Sequence, residues 1–343
     1  MSRIWITDTS MRDGNHTVNH QLSRKEIQEI TSALDRSGID IIEVGHGDGL
    51  TGASCNYGFP AITDFEAVEA AASVSKQAKI AVLCLPGIAT VPDLKQAKAS
   101  GASVLRVATH VTEADVSWEH ITNAKAIGFD VVGFLMMAHR ASTERIVEEA
   151  KKMASYGADV VYATDSAGAM LPREVADKVK AMCGELDIPV GYHSHNNLGL
   201  SIGNSLAAIE AGATYIDGSL GGFGAGAGNA PTEMLVTVLK KSRYDINADV
   251  FKTIDAATNV LKPIAKQHGV SIPDIHDPLI IGYTGVYSSF MLHAKAAAAR
   301  FKVDYRDIIL EAGKRNAVGG QEDWLYEIAN QLHEGTIQSS SDD

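Results

Sequence analysis

The sequence predicts an α/β protein, a TIM (β/α)8 barrel with a C-terminal helical domain. Three observations carry that prediction. Eight short β-rich runs alternate with longer amphipathic segments over the first 219 positions. A glycine-bearing joint recurs between the end of a helix and the start of the next strand. Past about position 247 the strand pattern stops and only helical periodicity remains.

The β-rich runs fall at 4–7, 39–44, 80–85, 104–108, 131–135, 160–163, 190–193 and 215–219. Helical patterns between them include 24–36, 92–99, 114–126, 143–155, 172–183 and 202–210. Regular alternation implies parallel strands, because a parallel pair needs a crossover that a helix supplies. The joints are Ser37-Gly38-Ile39-Asp40, Ser100-Gly101-Ala102-Ser103, Ile127-Gly128-Phe129-Asp130, Tyr156-Gly157-Ala158-Asp159 and Ala211-Gly212-Ala213-Thr214. Glycine suits the left-handed residue that closes a helix. A βα unit repeated eight times closes as a barrel, and 343 residues is a fitting length. An open doubly wound sheet is the alternative.

The barrel is expected over 1–246 and the helical domain over 247–338, with helices at 248–266, 287–301, 305–312 and 322–333. Pro263, Pro273 and Pro278 fall in or near the joints, where proline limits helix continuation.

Composition narrows the partners. The formal net charge is −12, which argues against nucleic acid and against an anionic membrane surface. Three scattered cysteines form no disulfide framework, which suits a reducing cytosol. No signal-peptide core and no apolar run of about 18 residues is present, so a cytoplasmic protein without a transmembrane helix is expected.

Two stretches carry the chemistry. Asp8-Thr9-Ser10-Met11-Arg12-Asp13-Gly14-Asn15-His16 follows the first strand, and Tyr192-His193-Ser194-His195-Asn196-Asn197 ends the seventh. Barrel active sites sit at the C-terminal ends of strands. Alternate strand residues point the same way, so His193 and His195 can face one centre. Two imidazoles and the Asp13 carboxylate would leave positions open on a divalent ion, as catalytic sites do. Alone, His-x-His reads equally well as two ordinary strand-end histidines; Asp13 at another strand end favours the metal. Arg12 beside that ion can steady an enolate oxygen, although an arginine more often serves a structural ion pair. An imidazole such as His16 can move a hydroxyl proton near neutral pH. Ser166 in Asp165-Ser166-Ala167-Gly168 either binds a carboxylate or caps the turn. The stretch from Gly221 to Pro231 lacks the Lys-Ser/Thr of a phosphate loop and reads as an anion cradle or a tight turn.

Taken together, these residues resemble the 4-hydroxy-2-oxovalerate aldolases, within the superfamily of hydroxymethylglutaryl-CoA lyase and isopropylmalate synthase barrels. The resemblance covers nearly the whole chain. It rests on Arg12-Asp13-Gly14-x-His16, Glu43-Val44-x-His46-Gly47-Asp48-Gly49-Leu50, Leu85-Pro86-Gly87-Ile88, Arg106-Val107-Ala108-Thr109-His110, Gly285-Val286-Tyr287-Ser288-Ser289-Phe290 and Val318-Gly319-Gly320-Gln321-Glu322-Asp323. It implies that Asp13, His193 and His195 bind Mn2+ or another divalent metal such as Co2+ or Mg2+. It implies that Arg12 binds the keto acid, that His16 is the general base, that Ser166 and His193 touch substrate, and that Tyr287 lines the aldehyde side. The reaction implied is retro-aldol cleavage of 4-hydroxy-2-oxopentanoate to pyruvate and acetaldehyde. An acylating acetaldehyde dehydrogenase is the partner implied, in a homo- or hetero-oligomer, through the C-terminal helices. The competing readings are a Claisen-type acyl-CoA enzyme of the same superfamily and a non-catalytic scaffold of an aldehyde dehydrogenase.

Overall fold

In the computed structural model, residues 3–272, 276–286, 290–317 and 321–338 are described. Pro273, Tyr287, Ser288, Ser289 and Val318-Gly319-Gly320 lie outside those residues, as does the side chain of Pro278. By its contacts the chain divides into two compact units, Met1–Ile272 and Pro273–Asp343.

The first unit is a closed barrel of eight parallel strands in sequence order. They are β1 (Trp5–Met11), β2 (Ile41–Val44), β3 (Lys79–Cys84), β4 (Val104–His110), β5 (Asp130–Met136), β6 (Val160–Asp165), β7 (Val190–Ser194) and β8 (Tyr215–Gly218). Closure is made by β1 pairing with β8, from Trp5 opposite Tyr215 to Asp8 opposite Gly218. The helices between strands are α1 (Arg24–Arg36), α2 (Asp64–Ala72), α3 (Val91–Ala99), α4 (Trp118–Ile127), α5 (Thr143–Tyr156), α6 (Pro172–Glu185) and α7 (Ser201–Glu210). After β8 come α8 (Thr232–Lys241), α9 (Val250–Asp255), a π-helical turn at Ala256–Leu261 and α10 (Lys262–Gln267). The five expected joints hold: Gly38, Gly101, Gly128, Gly157 and Gly212 all have φ between 81° and 116°, the left-handed region that side chains disfavour.

Strand β1 runs four residues further than the expected 4–7, because its polar positions are satisfied in place. Thr9 donates to the Gly218 carbonyl, Ser10 Oγ accepts from the Leu220 amide, and Thr232 donates to Asp8. Pro263 does not break its helix. It stands directly after the π turn, where the i→i+5 pattern relieves the clash a proline ring makes with the carbonyl four residues back. These helices belong to the barrel unit, so it extends to Ile272 rather than ending where the strands end. Asn247 donates to the Gly38 carbonyl, His268 pairs with Glu26 of α1, and α9 packs on α1.

The barrel interior is layered. Ile41, Ala81, Leu83, Val104, Ala108, Val132, Phe134, Val160 and Tyr162 form one buried apolar cluster. Arg106 is wholly buried within it, its guanidinium 4.5 Å from the Phe134 ring centre and 4.7 Å from that of Tyr162. A buried guanidinium needs carboxylates, and Arg106 finds Glu43 at 3.1 Å and Asp217. The apolar cluster therefore gives way to a charged layer.

The second unit is helical: α11 (His276–Thr284), α12 (Phe290–Phe301), α13 (Tyr305–Lys314) and α14 (Asp323–His333). Phe290, Ala294 and Ala297 of α12, Ile308, Ile309 and Ala312 of α13, and Leu325, Ile328 and Ala329 of α14 supply its buried face. Among the described residues no helix is long and apolar enough to cross a membrane.

Candidate metal centre and active site

The C-terminal strand ends bring the two chemical stretches together. The backbone leaves β1 into a 3-10 turn at Asp13–Val18, and β7 ends one residue before His195. One ligand atom each from Asp13, His193 and His195 lies within 4.8 Å of the other two. The two imidazole centres are 5.3 Å apart, and His195 Nε2 is 3.9 Å from Asp13 Oδ2. A bridge between His195 and Asn229 fixes the residue beyond the strand.

The donor set fits a divalent ion. Burial would raise the Asp13 carboxyl, but Arg12, the two imidazoles and the Asn229 amide outweigh it and hold the group well below the usual carboxylate range. Asp13 is therefore an anion. Burial, with His193 beside it, pushes the His195 imidazole down to about 4, leaving a neutral ring with a lone pair to offer. His193 Nδ1 is 2.8 Å from Asp217 Oδ2, which commits that nitrogen and turns Nε2 toward the centre. Burial opposes ionisation of Asp217, while Arg106 and His193 hold it ionised.

Behind the three candidate ligands lies one continuous run of charge. Arg12 Nη1 donates to Asp13 Oδ1 at 2.8 Å and Arg12 Nε to Glu43 Oε2 at 2.7 Å. Glu43 also meets Arg106, which reaches Asp217 and through it His193. Two carboxylates and two guanidiniums thus position both a carboxylate and an imidazole from opposite sides of the barrel. Glu43, Arg106 and Asp217 had no assigned role in the sequence. Their signal was a charge inside otherwise apolar strand runs, which a half-buried strand does not tolerate without a partner.

His16 sits on the same 3-10 turn as Asp13, half-buried. Gly47 makes room for its ring: a Cβ there would lie 2.3 Å from His16 Nε2. Ser166 Oγ accepts from the Met137 amide at 3.0 Å, so its hydroxyl proton points to another acceptor. Tyr287 lies outside the described residues. The glycine-rich stretch folds over the centre, and its amide at Ala225 donates to Asp13 Oδ2. A Cβ on Gly224 would come within 2.8 Å of Asp13 Oδ2 and 2.6 Å of Asn229 Nδ2. Its work here is to hold the Asp13 carboxylate.

A parallel barrel with a buried acid and two imidazoles at one mouth is compatible with the barrels of the HMGL-like class. The family model of that description matches residues 3–260. The Bacillus subtilis HMG-CoA lyase shares the fold, with a TM-score of 0.67 at 20% identity over 80% of this chain and 96% of that one. Residues 264–334 match a second model, the DmpG-like communication domain. The 4-hydroxy-2-oxovalerate aldolase of Pelotomaculum thermopropionicum is 53% identical over 331 residues, 96% of each chain. That of Geobacillus thermodenitrificans is 52% identical over 331 residues, 96% of this chain and 95% of that one. The chain belongs to the 4-hydroxy-2-oxovalerate aldolases, a family of divalent-metal-dependent carbon–carbon lyases.

Proposed function

We propose that this chain cleaves 4-hydroxy-2-oxopentanoate to pyruvate and acetaldehyde, with Asp13, His193 and His195 holding Mn2+ or a similar divalent ion. The observation that carries the reading is the convergence of those three ligand atoms within 4.8 Å, with Arg12 bonded to the acid among them. When bound, such an ion supplies Lewis-acid polarisation of the substrate's 2-keto group. Arg12 binds the keto acid and faces the oxygen on which negative charge grows, an interaction strongest in the transition state. His16 takes the proton of the C4 hydroxyl as the C3–C4 bond breaks. The C4–O electrons form the aldehyde carbonyl, and the bond pair passes to C3 as the pyruvate enolate. Protonation at C3 then gives pyruvate. Ser166 and His193 contact the substrate.

Buried Arg12, at 4% exposure, and its carboxylate partners keep the developing charge out of water, where it would be screened. The match of residues 264–334 to a communication domain supports a further reading, that this segment docks an acylating acetaldehyde dehydrogenase that takes the aldehyde. Gel filtration of the two proteins together tests that contact.

The cleavage is tested by following pyruvate and acetaldehyde from 4-hydroxy-2-oxopentanoate. Equal yields, abolished by chelator and restored by Mn2+, are expected. Borohydride added with pyruvate should leave activity intact, since no lysine imine is formed. No pyruvate from metal-loaded protein would refute the reading, and borohydride inactivation would replace the metal with a Schiff base.

A further inference from the structure

A second group of ligand-type side chains stands apart from the first. One ligand atom each from His16, His20 and Asp48 lies within 4.8 Å of the other two. His20 is 4% exposed, and its Nε2 is buried without a hydrogen-bond partner. Asp48 Oδ2 is likewise buried without one.

The neighbouring His46 makes this arrangement electron-rich. Its Nδ1 accepts from the Asp48 amide at 3.1 Å, and its Nε2 lies 3.3 Å from the Gly58 carbonyl, which places the ring proton on Nε2. The Nδ1 lone pair and Asp48 Oδ2 then face each other at 3.5 Å with no proton between them. The His20 ring stacks on that of His46 at 3.7 Å and meets His16 edge to face at 4.9 Å. His20 is also held at φ 61° and the preceding Asn19 at φ 51°. Ordinary residues seldom adopt that region, and here it is what delivers the His20 ring into the group.

We propose that His16, His20 and Asp48 form a second cation site, distinct from Asp13, His193 and His195. Two imidazoles and one carboxylate suit a borderline-soft divalent ion such as Zn2+ or Co2+ better than Mg2+, which prefers oxygen. An ion there relieves the facing lone pairs at Asp48 and fills the empty partner position of His20. It also takes His16 out of proton transfer, so the site is inhibitory. That consequence, unlike binding itself, rests on His16 being the base.

Full-length protein is stripped of metal, dialysed against Co2+, and its bound metal counted by elemental analysis. Two ions per chain are expected in the wild type. One is expected in Asp48→Asn and in His20→Ala, with Asp48→Asn deciding if His20→Ala does not fold. His193→Ala should keep one ion, and adding Asp48→Asn to it should remove that one. A single ion in the wild type, or two retained in Asp48→Asn, overturns the site. Zn2+ added to Mn2+-loaded enzyme should suppress pyruvate release, and Asp48→Asn should need at least about tenfold more Zn2+ for half-inhibition, since losing even an outer partner of a ligand costs about that much. If the second ion is counted, lost in Asp48→Asn, and yet both proteins are inhibited alike, the cation site stands and its inhibitory role falls.

Discussion

Asp217→Asn is the substitution that most sharply separates positioning from packing. Asp217 touches no substrate in this account. Its carboxylate, 1% exposed, accepts from His193 Nδ1 at 2.8 Å and from Arg106. The amide keeps the shape, and its oxygen can still accept both hydrogen bonds, but the charge is gone. A hydrogen bond to a charged acceptor contributes about 1.5–3 kcal/mol against about 1 for a neutral one. His193 thus becomes less basic and its ring less firmly held. Changes to such partners weaken metal binding about 10- to 100-fold, or about 1.4–2.7 kcal/mol. Arg106 keeps Glu43 at 3.1 Å, so the loss in stability stays near the low end of the about 3–5 kcal/mol for a broken buried pair, and the fold survives. The assay is a Mn2+ titration of the metal-free protein, by calorimetry or by the signal of free Mn2+. Asp35→Asn is the control. That buried carboxylate accepts from the Gln77 and Ala78 amides at 2.8 Å, away from the metal centre, and its loss should lower stability without touching metal affinity. An Asp217→Asn protein that folds and binds Mn2+ within about twofold of wild type would refute the positioning argument.

Three further outcomes follow from the same geometry. His16→Ala should lower turnover by about 10²- to 10⁴-fold, the range for a lost general base, and keep the Mn2+ affinity; full turnover across pH would remove His16 from that role. Gly47→Ala forces the His16 ring aside, because the new methyl would sit 2.3 Å from Nε2, so kcat should fall while metal binding and folding stay near wild type; unchanged kcat would show that the ring position is immaterial. Burial, with Asp8 nearby, raises the Glu233 carboxyl to about 7, so the folded chain holds a proton that the unfolded chain releases above its ordinary 4.5. Stability is therefore lost as pH rises from about 4.5 to 7, by roughly 3 kcal/mol if this group acts alone, and Glu233→Gln should flatten that slope in urea unfolding at pH 5 and pH 8; an unchanged slope would place the titration elsewhere.

Much of this was legible from residues alone. All eight strands and the glycine joints follow from periodicity and turn chemistry, which are local, and the meeting of the first and seventh strand ends follows from the one mouth that a closed barrel gives to all its strand C-termini. Helices α2 and α8 were not singled out. The first, Asp64–Ala72, is alanine-rich and only weakly one-sided, although its Thr63–Glu66 capping box was readable. The second, Thr232–Lys241, carries valines and threonines that suit a strand equally well. The barrel unit runs past the expected boundary because α9 and the π turn pack back on α1 and His268 pairs with Glu26, contacts between segments over 200 positions apart that no local pattern announces. The same holds for Glu43, Arg106 and Asp217. Each was visible as a charge in an apolar run, but which charge meets which depends on closing β8 against β1 and turning β2, β4 and β8 inward together. The candidate ligands could be named because their chemistry is in their residue types; the groups that hold them could not, because their chemistry is in their neighbours.

The central claim is that one divalent ion is gripped by an acid from the first strand end and two imidazoles from the seventh. Pulsed electron paramagnetic resonance on protein carrying one equivalent of Mn2+ tests it directly. Nitrogen couplings from two imidazoles are predicted in the wild type, falling to one in His193→Ala and to one in His195→Ala. A Mn2+ signal without imidazole nitrogen, in protein that still releases pyruvate, would contradict it.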